Sequence, residues 1–346
     1  MLSKNGQASE ALAQFQKSLK IDPDNAAVHY NFGLALFREG QIAEALAQYR
    51  KALEINPDNA EAHKNLDSTL SQKGGINPHD AGYHYGLGLV LLKNGQVAEA
   101  MAQYQEAVEI DPNFAAAYNG IGTILSQNRQ ADEAISEYKK ALKIDPDSAE
   151  THYNLGLTLF QERQVVEAIG QYRRALENNP TYIQAYNNLG VALAQEGKEA
   201  EAMVQYQKAL KINPNYAQAH NGLGSVLSQK GQFAEAIIEF QKALEISPYY
   251  AEAHFNLGVA LIKIGQLDEA IAQYQMALEE NPNFAPAHNN VGTALIQKGQ
   301  LREAIAHFTV AVRLEPDFKD AQNNLARAIS MLHQNALVAT PAKAGS

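Results

Sequence analysis

The chain has 346 residues, no cysteine, and a formal net charge of −10 from 28 basic and 38 acidic side chains. The absence of cysteine excludes disulfides, thiolate metal sites and cysteine nucleophiles, and the acidic balance speaks against a surface built to hold nucleic-acid phosphates. No apolar run approaches the roughly eighteen residues of a membrane span, and the opening MLSKNGQASEAL lacks the charged and apolar regions of a signal peptide, so a soluble, cytoplasmic protein is expected.

Prolines at 23, 57, 78, 112, 146, 180, 214, 248, 282 and 316 punctuate the chain every 34 residues, except for the 21 between Pro57 and Pro78. Each unit is numbered here from one to 34 with this proline at position 32. Within the unit Ala251 to Phe284, the residues Leu257, Gly258, Leu261, Ile264, Leu267, Ala270, Ile271, Tyr274, Ala277 and Leu278 recur at helical spacings of three and four. Gly265 breaks that pattern and Pro282 ends it, because glycine suits a tight turn and proline has no helical N–H to donate. The unit therefore reads as helix, turn, helix, stop.

Position 8 is glycine at 33, 88, 122, 156, 190, 224, 258 and 292, and position 20 is alanine at 11, 45, 100, 134, 168, 202, 236, 270 and 304. A glycine inside a helix costs about 1 kcal/mol relative to alanine, so its return needs a packing reason, and close approach of the second helix supplies one.

Small or apolar residues at positions 7, 8, 11, 20, 24 and 27, with proline at 32, resemble the tetratricopeptide repeat over residues 1 to about 334, although histidine or tyrosine stands at position 4 where that family has tryptophan. The resemblance implies an all-α, right-handed superhelical solenoid of antiparallel helix pairs that grows by addition rather than around one core.

Taken in order, residues 1 to 25 supply only the later half of a unit, which leaves an unpartnered edge; the chain would then begin upstream in a longer protein, or the edge would meet another molecule. Residues 26 to 59 are complete. The unit from Ala60 lacks about thirteen residues where its second helix belongs and carries Asp67 in place of the position 8 glycine, as expected where no second helix has to be admitted. We therefore expect a short block over 1–73 ended by a capping helix, an irregular joint over 74–80, seven full repeats over 81–318, a capping helix over 319–334 and a flexible tail over 335–346.

Two chemical readings are set aside. Seven histidines, 29, 63, 84, 152, 220, 254 and 288, share position 4, but equivalent positions on stacked helices lie roughly 10 Å apart, whereas the ligands of one zinc each sit about 2 Å from it; packing is the expectation, with no metal. The Gly-x-Gly pairs at 86 and 88, 120 and 122, and 222 and 224 lie inside helices with no preceding strand, which disfavours a dinucleotide site. No nucleophile elbow, HExxH pattern or distinctive carboxylate pair stands apart from the repeat, so neither catalysis nor a cofactor is expected. The pairs Arg50-Lys51, Lys139-Lys140 and Arg173-Arg174 read as solvated outer faces.

In the resembled family, first helices line a groove that takes peptide segments. Carried over position by position, the resemblance puts apolar stations at Tyr30, Leu34 and Phe37, at Tyr85, Leu89 and Leu92, at Tyr153, Leu157 and Phe160, and at Phe255, Val259 and Ile262. Polar stations with Asn119 or Asn221 alternate with them, and exposed apolar groups of this kind mark interaction sites. Asparagines at positions 5 and 6, Asn31, Asn119, Asn154, Asn187, Asn188, Asn221, Asn256, Asn289 and Asn290, carry both donor and acceptor atoms suited to a peptide backbone. This asparagine file and the NLG motifs resemble the repeat arm of O-linked N-acetylglucosamine transferases, whose catalytic domain has no counterpart in these residues. The expectation is a non-enzymatic scaffold for proteins or peptides. The alternatives are a substrate-recognition arm of a larger enzyme, or self-association through the N-terminal edge. The basic residues that some family members use to clamp acidic C-terminal tails do not occur in consecutive units.

Overall fold

A computed structural model of the chain describes residues 2–23, 25–56, 61, 62, 65 and 80–339. Among them every regular element is an α-helix. Cα packing divides the chain into two compact units, residues 1–146 and 147–346. The first holds α1 (Leu2–Ile21), α2 (Ala26–Arg38), α3 (Ile42–Ile55), α4 (Ala81–Lys93), α5 (Val97–Ile110), α6 (Ala115–Gln127) and α7 (Ala131–Ile144). The second holds α8 (Ala149–Gln161), α9 (Val165–Asn178), α10 (Ile183–Gln195), α11 (Glu199–Ile212), α12 (Ala217–Gln229), α13 (Phe233–Ile246), α14 (Ala251–Lys263), α15 (Leu267–Glu280), α16 (Ala285–Gln297), α17 (Leu301–Leu314) and α18 (Lys319–Ala339).

Within each unit the helices pack as hairpins: α2 on α3, α4 on α5 and α6 on α7, then α8 on α9 and so on to α16 on α17, with each second helix also touching the first helix of the next pair from α5 to α6 and from α9 onward. The expected all-α solenoid of helix pairs is the architecture observed.

The turn between paired helices is the same throughout. Position 15 takes a left-handed backbone, with φ between 70° and 82° at Gly40, Gly95, Gly197, Gly231, Gly265 and Gly299. The following N–H reaches back to the position 11 carbonyl, as in Gln41 to Leu36 at 2.9 Å, the six-to-one bond of a Schellman cap. Arg129 and Arg163 occupy the same turn with φ of 62° and 59°, a conformation that disfavours side chains with a Cβ.

The small residues close each hairpin upon an aromatic ring. Position 24, filled by Tyr49, Tyr104, Tyr138, Tyr172, Tyr206, Phe240, Tyr274 and Phe308, is at most 2% exposed, between fully buried alanines at positions 20 and 27. A Cβ on Gly156 would stand 2.8 Å from the Tyr172 ring and one on Gly258 2.6 Å from that of Tyr274. The position 8 glycine thus admits a ring of the second helix, a more specific reason than helix approach alone.

Both ends depart from expectation. α1 runs unbroken through Gly6, where the other units turn, and α18 continues to Ala339, so residues 335–339 of the expected tail are helical; the stretch NALVA contains no glycine or proline that would stop a helix. Most of the expected cap over 60–73, the joint 74–79 and residues 340–346 lie outside the described residues. Asp80, the last residue of that joint, is described: its carboxylate caps α4 by accepting from the Gly82 N–H at 2.9 Å.

Candidate functional site

The first helices α8, α10, α12, α14 and α16 of the second unit present positions 5, 9 and 12 on one face. Each apolar station there is half-buried rather than free. Tyr153 lies between the rings of Tyr172 and Tyr182, with centroids 6.0 and 4.8 Å away, and Phe255 lies between Tyr274 and Phe284 at 5.8 and 4.8 Å. Below them Leu157, Phe160, Val259 and Ile262 are partly exposed. In the first unit Tyr85 is held between Tyr104 and Phe114 at 5.6 and 5.4 Å, and Tyr30 leans on Tyr49 at 6.2 Å. Leu89 is 46% exposed, while Leu34, Phe37 and Leu92 are half-buried.

The flanking rings Phe114, Tyr182 and Phe284 belong to position 34, which the sequence reading passed over. A signal was present: position 34 is aromatic also at Tyr216, Tyr250 and Phe318, but polar at Asn25, Asp80 and Ser148. Where it is polar, the side chain caps the next helix, as when Asn25 accepts from the Val28 N–H at 3.1 Å and Ser148 from that of Thr151 at 3.3 Å. Where it is aromatic, no side-chain cap forms. A lost cap costs about 1 kcal/mol, and an aromatic pair contributes about 0.5–1.5 kcal/mol beyond its burial, so the exchange is close to even and the first-helix face gains a ring. Burial, then the nearby Tyr153 and Glu150, pushes the Tyr182 hydroxyl up to about 12. Burial and Glu252 do the same for Tyr250, which also reaches about 12 although Asn221 donates to it at 3.3 Å. These hydroxyls stay protonated at neutral pH.

The asparagines form a ladder between repeats. Four position 6 amides donate to the position 5 side chain 35 residues earlier: Asn65 to the Tyr30 hydroxyl at 2.8 Å, Asn188 to that of Tyr153 at 3.0 Å, Asn256 to Asn221 Oδ1 at 3.0 Å and Asn324 to Asn289 Oδ1 at 2.9 Å. Asn256 also reaches Ser225 Oγ at 3.3 Å, and Asn290 reaches the Tyr274 hydroxyl at 3.5 Å. The position 5 members Asn119, Asn187, Asn221 and Asn289 are only 4–8% exposed. Asn31 is exposed and donates within its own helix to the Ala27 carbonyl at 2.9 Å, and Asn154 is half-buried. The file is thus largely engaged in the wall itself.

Position 4 is a packing position. Histidine Nδ1 meets the position 23 side chain at 2.7 Å in His29–Gln48, His84–Gln103, His152–Gln171 and His254–Gln273. The Nε2–H of His29, His220 and His254 donates to the carbonyl of Pro23, Pro214 and Pro248 at 2.8–3.0 Å. No helix among the described residues is long and apolar enough to cross a membrane.

Among the described residues the fold defines an all-α repeat protein of paired helices. A model of the TPR repeat matches residues 1–40, 33–74, 91–129, 124–162, 164–197 and 192–231, and models of the tetratricopeptide repeat match 227–291 and 291–330. The chain belongs to the tetratricopeptide repeat family. Among solved structures it is similar to a chain of the APC/C hetero-tetramer Cut9-Hcn1 (22% identity, TM-score 0.61, 88% of this chain and 56% of that one). It is also similar to Pseudomonas aeruginosa pilF (23%, 0.55, 62% and 97%) and to a tetratricopeptide repeat protein from Parabacteroides merdae (17%, 0.58, 72% and 98%). At these identities the likeness concerns the fold alone, and the chain spans little more than half the length of the Cut9-Hcn1 chain that it matches. No curated protein matches.

Proposed function

We propose that the protein is a non-enzymatic, cytoplasmic scaffold that binds peptide segments of other proteins along the face of its first helices. Members of this family generally mediate protein–protein interactions. The observation that carries the reading is the spacing of half-exposed apolar stations, Tyr153-Leu157-Phe160 and Phe255-Val259-Ile262, on either side of the polar stretch Asn187, Asn188, Asn221 and Ser225. Apolar side chains left at a surface in this arrangement suit an incoming peptide's side chains. The asparagines then have two duties, holding neighbouring repeats in register and offering their remaining amide atoms to a peptide backbone.

The test uses peptides selected from a random phage-displayed library on the whole chain and measured by calorimetry. Leu157→Lys with Val259→Lys places charge on two stations without touching the buried rings, and binding is expected to be lost while the circular dichroism stays unchanged. Selected peptides that bind this variant as they bind the parent would show that the site lies elsewhere.

A further inference from the structure

The repeat 285–318 pairs its position 4 histidine in a way of its own. Position 23, which is Gln48, Gln103, Gln171 or Gln273 opposite His29, His84, His152 and His254 and Glu239 opposite His220, is His307 opposite His288. The two Nδ1 atoms face each other at 3.0 Å, with ring centroids 5.2 Å apart and planes inclined by 38°. His288 donates its Nε2–H to the Pro282 carbonyl at 3.2 Å, so its Nδ1 carries the lone pair and accepts from the Nδ1–H of His307; a bound metal would take the place of that proton, which His307 can carry on Nε2 instead. Both rings are partly open to solvent.

We propose that His288 and His307 form a two-imidazole site for one divalent transition metal of the copper, nickel or zinc type. Nitrogens bound at about 2.0–2.1 Å to one ion lie about 2.8–3.4 Å apart at right-angled or tetrahedral geometry, and the observed separation falls in that range. Imidazole suits these metals and not magnesium or calcium. The carbonyl behind His288 is the outer-shell partner that fixes a ligating histidine's tautomer and orientation. Among the described residues no third ligating side chain joins the pair, so water completes the coordination. The expectation that position 4 histidines cannot converge on a metal concerned copies on neighbouring repeats; this pair meets inside one hairpin.

The experiment is a calorimetric titration of the full chain, free of any histidine tag, with Ni²⁺, Cu²⁺, Zn²⁺ and Mg²⁺ at pH 7.5, beside H307Q. That substitution recreates the His–Gln pair of His254 and Gln273, so the variant folds. The expected result is one equivalent of Ni²⁺, Cu²⁺ or Zn²⁺ per chain, no Mg²⁺, a metal-dependent rise in Tm, and loss of both effects in H307Q. Absence of binding by the parent chain, or binding kept in H307Q, overturns the proposal.

Discussion

Position 6 takes two residues in the second unit, and they make two kinds of seam between neighbouring helix pairs. Where Gly222 follows Tyr206, the ring presses on the backbone of the next first helix, and a Cβ there would stand 2.5 Å from it; Gly190 receives the same ring from within its own hairpin, with a Cβ distance of 2.7 Å. Where Asn188 follows Tyr172, the next helix is tied by an amide reaching the Tyr153 hydroxyl at 3.0 Å. One seam is steric and the other is a hydrogen bond. The difference teaches that a repeated sequence need not repeat its interfaces, because a single residue decides whether a ring or a carboxamide fills the joint.

The largest effect is expected from breaking the steric seam. Gly222→Ala or Gly120→Ala, the latter facing Tyr104 with a Cβ distance of 2.8 Å, overfills a packed joint and should cost about 1–3 kcal/mol in urea unfolding; a neutral result would mean that the rings shift freely. The bonded seam is weaker: Asn188→Ala or Asn324→Ala should each cost about 0.5–1.5 kcal/mol. The contrast sharpens at Gly86, also at position 6, where a Cβ would meet nothing within 4 Å. Gly86→Ala should therefore stabilise by about 0.5–1 kcal/mol through helix propensity. Thermal unfolding of these variants side by side separates the glycine needed for space from the glycine that is not.

The smallest effect concerns pH. His307 has its pKa lowered from 6.5 by burial, so the fold favours the neutral ring. Its contribution is fully present above the unfolded value and is lost as pH falls through the folded one. The Tm of the parent chain should therefore drop more between pH 7.5 and 5.5 than that of H307Q, and equal slopes would remove this role.

Helix pairing and turns were legible because Gly265 and its equivalents need a left-handed turn and Pro282 and its equivalents stop a helix, both strictly local requirements. The position 8 glycines were legible as a packing need, but not the Tyr172 or Phe240 ring behind it, since sixteen residues and a turn separate the partners. The site was read less fully. Tyr182 and Phe284 stand before a helix, where a turn residue is expected, and only their sideways burial makes them part of the wall. Asn188 and Asn256 read as free to meet a peptide backbone, because their partners lie 35 residues away on another repeat. His307 carried no signal, since the histidine pattern drew attention to position 4 and its partner sits at position 23.

The histidine-to-proline bond has a consequence for how the solenoid opens. At His220, His254 and His288 the ring reaches back over the seam to the carbonyl that ends the preceding repeat. At Tyr118 and Tyr186 the position 4 ring clasps forward instead, under Lys140 at 5.7 Å and Lys208 at 5.6 Å of its own hairpin. A chain of nearest-neighbour couplings unzips first at its weakest link. Amide protons in the first turns of α6 and α10 should then exchange with solvent sooner than those of α12, α14 and α16, so that the array loosens from chosen seams rather than only from its ends.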